Sequence, residues 1–401
     1  MCLCASNPGG ALNPRLNELQ RRLVGAGVDA AVLVHPRDIL YYAGTARPAT
    51  LVVGPQEAVL LVRRGLDLAR REATLERVEP GSGWDAVAAV LASQGLTRGI
   101  LGADLDVMPA HLYRRMREAL PAWEVEDISP LVLAQRMIKD ASEIRATEGA
   151  AAVADAGHVV LSSILRPGLS ELELAAEVEA ALRRAGHEGY QPLRYPGARG
   201  GGVLLMSGEN LNIRGGHGLV VTGAGLSPGT PYGPSRRVVR PGDLVVLDIG
   251  STYDGYTADE SRTYVVGRAT AAQEALFEAA LATEEAVLSA LRPGVSVAEV
   301  YAAAEAVVVR GSPPHFPPGR LSLPGFVGHG LGLEIDEPPV LWPREETPLV
   351  PGMVLALEVE VSASADGLMA KVEDTVVVEA DGPRLLTHAS RRLVSRDGGV
   401  R

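Results

Sequence analysis

Pro241-Gly242-Asp243-Leu244-Val245-Val246-Leu247-Asp248 is answered later in the chain by Pro351-Gly352-Met353-Val354-Leu355-Ala356-Leu357-Glu358. Each stretch leaves a Pro-Gly turn, runs as an apolar strand and ends on an acid. The segments downstream are paired too: Asp254-Gly255, Asp259 and Thr263-Tyr264-Val265-Val266 match Asp366-Gly367, Glu373 and Thr375-Val376-Val377-Val378. Upstream, Leu165-Arg166-Pro167-Gly168-Leu169-Ser170 returns as Leu291-Arg292-Pro293-Gly294-Val295-Ser296. Each of these opens a capping box, Ser170 with Glu173 and Ser296 with Glu299, ahead of a helical run. Four features in one order indicate duplication. The expected fold is α+β: two halves, each a helix pair plus a hairpin, related by an approximate internal two-fold.

The acids of the repeat carry the chemistry. Asp248 and Asp259 lie on either side of the turn Tyr253-Asp254-Gly255-Tyr256, so a hairpin can bring both to one face of neighbouring strands. Glu358 and Glu373 do the same in the second half, and the two-fold then gathers four carboxylates in a β core. Buried together they repel one another and lose hydration, which costs many kcal/mol unless cations neutralise them. Two divalent metal ions answer that need. Carboxylates favour hard ions, and one imidazole admits Mn²⁺, Co²⁺ or Zn²⁺. His329, between glycines in Gly328-His329-Gly330-Leu331-Gly332, is the expected imidazole, because glycine lets backbone approach a site closely.

Composition excludes other classes. Of 401 residues, 46% are hydrophobic and 22% charged, which is enough to build a core and rules out global disorder. A net charge of −11, with short Arg clusters read as solvated faces, argues against a nucleic-acid partner. Cys2 and Cys4 are too few and too close for a structural zinc site or a core disulfide. There is no long apolar run and no basic leader, so the expected protein is cytoplasmic, with no membrane partner. The first 130 residues alternate strand-like segments (30–34, 99–102, a 51–53/59–62 hairpin) with helix-like ones (15–24, 66–75, 84–93, 110–120). Ser129-Pro130 reads as a break, and 142–165 as an Ala-rich helix.

These residues resemble the pita-bread metallopeptidases, specifically the aminopeptidase P and prolidase branch that includes creatinase. The resemblance covers nearly the whole chain. It rests on Ile39-Leu40-Tyr41-Tyr42-Ala43-Gly44, Arg136-Met137-Ile138-Lys139, Leu247-Asp248-Ile249-Gly250, Gly255 to Thr263, Gly328 to Gly332 and Val372-Glu373-Asp374-Thr375. It implies a pita-bread catalytic domain over 135–401, preceded by a smaller creatinase-like α/β domain over 1–134. It also implies metal ligation by Asp248, Asp259, His329, Glu358 and Glu373. Asp248 would serve one ion, His329 and Glu358 the other, with Asp259 and Glu373 bridging. A metal-bridging hydroxide would attack the peptide carbonyl, with Glu358 as proton acceptor. The expected activity is Xaa-Pro dipeptide hydrolysis, with aminopeptidase P on longer peptides as the alternative. A creatinase-like C–N hydrolase or a non-catalytic binding protein is less favoured, and a homodimer is the family expectation.

Departures fall in the substrate surroundings. Asp336 stands where the family has a second histidine, Val359-Glu360-Val361-Ser362 replaces Pro-Gly-x-Tyr after Glu358, and Lys371 replaces a common Arg. His217 is the candidate for a catalytic, substrate-side histidine, although the Gly/Pro-rich stretch Val220–Pro234 separates it from Asp248 by more than the family spacing. The Pro-rich segment Ser312–Pro318 is expected at the site rim, with His315 read as a surface residue.

Overall fold

The duplicated runs fold as two hairpins that meet at the centre of one sheet. The structure, a computed structural model, describes residues 13–189, 191–192, 194, 199–200, 202–216, 219–310 and 315–396. It divides into two units, one ending at Arg136 and also including Arg194, the other beginning at Met137.

The first unit contains α1 (Pro14–Gly25), β1 (Ala30–Leu33), α2 (Pro36–Ala43), β2 (Ala49–Val53), β3 (Ala58–Val62), α3 (Leu66–Glu72) and β4 (Arg77–Pro80), followed by α4 (Trp84–Ser93), β5 (Gly99–Ala103), α5 (Ala110–Ala119), β6 (Trp123–Asp127) and α6 (Ser129–Arg136). Its sheet runs β4-β3-β2-β1-β5-β6, antiparallel at the β2–β3 hairpin and parallel from β1 through β5 to β6. Ser129-Pro130 starts α6 where the sequence suggested a break. Proline is tolerated in a helix's first turn, because the N–H it lacks has no partner there. Asp38, fully buried, is held by Arg136 at 2.6 Å and Arg194 at 3.1 Å.

The second unit opens with the long α7 (Ala141–Ile164) and α8 (Glu171–Ala185), followed by the short strands β7 (Gln191–Pro192) and β8 (Arg199–Gly200). Its main strands are β9 (Gly202–Ser207), β10 (Leu244–Tyr253) and β11 (Tyr256–Val266). The second half supplies α9 (Ala271–Ala290), α10 (Val297–Arg310), β12 (His329–Gly330), β13 (Glu337–Val340), β14 (Val354–Ala363), β15 (Leu368–Glu379), β16 (Gly382–Leu385) and β17 (Val394–Arg396). Strands run β13-β12-β14-β15-β11-β10-β9, so hairpins β10–β11 and β14–β15 abut at the antiparallel β11–β15 junction. Ser170 bridges to Val238 and Ser296 to Pro348, the same contact in both halves. Arg237, from one of the Arg clusters read as solvated, instead pairs with Asp243 at 2.6 Å with little exposure.

Period-two alternation sorts each strand into two faces. Leu355, Leu357, Val359 and Val361 pack on the helix side with Leu276, Phe277 and Val300, while Val245, Leu247 and Ile249 pack with Val153, Leu161 and Val178. α7 lies close on the sheet: a Cβ added at Gly157 would come within 2.5 Å of Ile249 Cδ1. Complete burial of these chains is worth roughly 1.5–3 kcal/mol each. It leaves Asp248, Asp259, Glu358 and Glu373 on the opposite face.

The helix-side face also encloses polar groups. His158 of α7 lies 2.9 Å from Tyr264 Oη and 3.3 Å from the Glu260 carbonyl, with Arg262 nearby. Burial first, and Arg262 second, lower its pKa to about 3. The folded chain therefore keeps His158 neutral, while the unfolded chain takes up a proton below its ordinary value of about 6.5. His158 costs no stability above that pH and increasing stability as the pH falls toward 3, about 2 kcal/mol by pH 5. The loss of melting temperature between pH 7.5 and 5 should be several degrees smaller in His158→Gln than in the parent chain. Parallel melting curves for the two would show that His158 is not buried neutral.

Candidate metal centre

Asp248 leaves the apolar run of β10 on the face away from the helices, and Gly250 opposite Asp259 in the β10–β11 register puts both acids on that face. Glu358 faces Glu373 directly across β14 and β15, and Glu373 faces Ser261 across the junction. His329 reaches the same place from β12, where it pairs with Ala356. The preceding Gly328 has φ +150°, and a Cβ there would lie 2.1 Å from the Ala356 carbonyl oxygen, so only glycine permits this approach.

The five side chains form two groups that share Glu373. Asp259, His329 and Glu373 each offer one ligand atom within 4.8 Å of the others, and so do Asp248, Glu358 and Glu373. Glu358 thus groups with Asp248, although its Oε2 also lies 4.0 Å from His329 Nε2. His329 Nδ1 lies 3.1 Å from the Gly330 carbonyl, so a proton there is donated to backbone and Nε2 keeps its lone pair toward the acids. Asp259 Oδ1 and Glu373 Oε1 are buried and have no hydrogen-bond partner among the described residues. Two orphaned carboxylate oxygens, four acids and an imidazole are a donor set that fits divalent cations.

One cation is built in. Lys371, fully buried, places Nζ 2.6 Å from Asp248 Oδ2, 2.5 Å from Glu358 Oε1 and 3.2 Å from Glu373 Oε2. Burial, then the neighbouring acids, push the Asp259 carboxyl well above its usual range. Burial likewise lifts Glu373 to about 8 against the pull of Lys371, with Glu358 and Asp248 adding to the rise. Ser261 Oγ donates to Glu373 Oε2 at 2.6 Å, and Arg262 Nη1 donates to the Glu373 carbonyl at 2.6 Å, fixing the strand behind the acid.

Residues that the sequence set apart fall in different places. Asp336 is 44% exposed, with Oδ1 3.6 Å from His329 Nδ1, on the ring edge opposite the nitrogen nearest Glu358. His315 is exposed, and Glu337 is buried beside Lys139 at 3.3 Å. His217, Cys2, Cys4 and residues 312–314 of the Pro-rich segment lie outside the described residues. Lys371 was legible only as an exchange for Arg, yet its position two residues before Glu373 already put it on the acid face.

Sequence comparison decides the family. The model of metallopeptidase family M24 matches residues 145–380, and that of the creatinase/prolidase N-terminal domain matches 15–138. The chain belongs to metallopeptidase family M24. Among its relatives, the Xaa-Pro dipeptidase of Pyrococcus furiosus is 26% identical over 96% of this chain and all of its own length. Among solved structures, the Xaa-Pro dipeptidase from Bacillus anthracis superposes with a TM-score of 0.80 at 25% identity, covering 96% of this chain and 99% of that one. The dipeptidase PepE from Mycobacterium ulcerans gives 0.75 at 27% identity, covering 95% and 97%. Membership in M24 makes this chain a metal-using hydrolase with the pita-bread fold behind a creatinase-like domain. No helix among the described residues is long and apolar enough to cross a membrane.

Proposed function

We propose that this M24 chain hydrolyses Xaa-Pro dipeptides, holding two divalent ions (Mn²⁺, Co²⁺ or Zn²⁺) with Asp248, Asp259, His329, Glu358 and Glu373. The observation that carries the metal reading is the convergence of these five side chains in two groups that share Glu373. The substrate class is supported by the names of relatives that match over nearly their whole length. When bound, the ions polarise the scissile carbonyl and make water nucleophilic at neutral pH. The chain's own groups do the rest. Glu358, whose Oε2 lies 4.0 Å from His329 Nε2, takes the proton from the attacking water and passes it to the departing nitrogen. Lys371 holds the Asp248 and Glu358 carboxylates in place and offsets their charge. An Xaa-Pro amide carries no N–H at the scissile nitrogen, so a site shaped to the pyrrolidine ring rejects Xaa-Ala. A homodimer and a cytoplasmic location belong to the same reading.

The test is to assay the metal-loaded protein on Ala-Pro, Ala-Pro-Ala and creatine, with metal content measured in parallel. Release of alanine and proline from Ala-Pro, little from Ala-Pro-Ala, none from creatine, and about two ions per chain would support the reading. Faster cleavage of the tripeptide would make the chain an aminopeptidase P. Activity that survives chelation would remove the metal role.

A further inference from the structure

Glu284 interrupts an apolar stripe. It lies in α9 between Ala280 and Val287, on the face turned to the sheet, and its side chain is fully buried. Across from it, on the side of the sheet away from the metal acids, β11 and β15 place Glu260, Arg262 and Asp374, all buried. Asp374 Oδ1 accepts from Arg262 Nη2 and from Thr387 Oγ1, both at 2.6 Å, and Arg262 Nη2 also lies 2.9 Å from Glu260 Oε1. Arg391 donates twice to Glu284 Oε2, at 2.9 and 2.5 Å, and its Nε lies 3.2 Å from Asp374 Oδ2. Three acids thus share two guanidinium groups, with His158 neutral beside them. The Glu284 and Asp374 carboxyls meet at hydrogen-bond range, yet Glu284 Oε1 and Asp374 Oδ2 have no hydrogen-bond donor among the described residues. Two ionised carboxylates only accept; one proton between them turns that contact into a hydrogen bond and satisfies both oxygens.

We propose that Glu284 is held as a neutral carboxylic acid that donates to Asp374 Oδ2, and that it thereby positions Glu373 from behind the sheet; the link to Glu373 rests on the metal role proposed above. Asp374 is the anion of the pair, because its Oδ1 already takes two donors, one of them a guanidinium. The charged groups that face Glu284 are Asp374 of β15, Arg391 from the segment after β16 and, behind them, Arg262 of β11. α10 and β14 meet α9 with Val297, Val300, Leu355 and Leu357. Burial first, then the Asp374 charge, push the Glu284 carboxyl well above its usual range against the pull of Arg391. The effect reaches the metal acids through Arg262. Its Nη1 donates to the Glu373 carbonyl while Nη2 holds Asp374, so one guanidinium grips β15 at both residues. That grip sits where the two hairpins meet, at the pairing of Ser261 with Glu373. An ionised Glu284 would set a second carboxylate against Asp374 and work against it.

The first readout is the melting temperature of the metal-loaded protein from about pH 6 to 8, in the parent chain and in Glu284→Gln. A folded chain that keeps a proton which the unfolded chain releases above about 4.3 loses stability as the pH rises. The parent should therefore lose several degrees more than Glu284→Gln over that range, because an amide does not ionise. Parallel curves would mean that Glu284 is ionised against Arg391, and would overturn the proposal. The second readout is turnover of Ala-Pro. Glu284→Gln keeps a donor to Asp374 and should stay within about threefold of the parent in kcat, whereas Glu284→Leu keeps the bulk without the donor and should lose about tenfold with KM little changed. A glutamine variant as slow as the leucine one, or a leucine variant as fast as the parent, overturns the positioning role. If Glu284→Leu does not fold, the comparison of parent and glutamine melting curves still decides the proton. A parent chain inactive on Ala-Pro overturns the peptidase function, and the same melting curves then decide the state of Glu284 independently.

Discussion

Glu373→Gln is expected to lower kcat/KM for Ala-Pro about a thousandfold, whereas Asp336→Asn should stay within about tenfold of the parent. Glu373 is the one acid common to both groups of converging ligand atoms. Its side chain is wholly buried, Oε2 is engaged by Ser261, and Oε1 has no hydrogen-bond partner among the described residues. An amide in its place keeps the shape but supplies one neutral oxygen where an anion would serve two cations, and it points an N–H₂ group at either Ser261 or the cluster. Metal content should fall with activity, from about two ions per chain to one or fewer. Asp336 offers no such bridge. Its exposed carboxylate touches the far edge of the His329 ring and orients that imidazole at most. Equal, severe losses in both variants, with metal retained in Asp336→Asn, would place Asp336 in the reaction itself.

Lys371→Met should lower kcat/KM by about a hundredfold with the ions still bound, and Lys371→Arg should recover much of the loss. With two divalent ions bound as proposed, the four carboxylates would balance their charge, and the buried ammonium would leave one positive charge to offset negative charge developing on the substrate. Its contacts at 2.6 and 2.5 Å also hold Asp248 and Glu358 in a single orientation. Methionine fills a similar volume and leaves those acids without their buried partner, a loss that costs about 3–5 kcal/mol for a broken buried pair before the structure relaxes. Elemental analysis separates the two parts of the effect: full metal with slow turnover matches a charge role, and lost metal matches an orienting one. A parent-like rate with full metal in Lys371→Met would leave Lys371 without either role.

The repeat of an apolar run ending on an acid was enough, by itself, to establish two hairpins, two helix pairs and a shared carboxylate face. The reason is local: a strand alternates with period two, so Leu247 and Leu357 pointing to helices forces Asp248 and Glu358 the other way whatever the rest of the chain does. Capping boxes at Ser170 and Ser296 were legible on the same grounds, since each uses residues within one turn. Ser129-Pro130, read as a break, falls where β6 ends and α6 begins, since proline fits a helix's first turn. The repeat gathered the four acids on one face, but the further partners that individual side chains meet across the chain were not legible in it. Lys371 meets Asp248 across 123 positions, Glu360 takes Arg214 across 146, and Glu358 groups with Asp248 as well as nearing His329. Periodicity dictates which face a side chain takes. Which distant partner waits on that face is decided by strand order and loop docking, set by burial summed over the whole fold rather than by any neighbour in the chain.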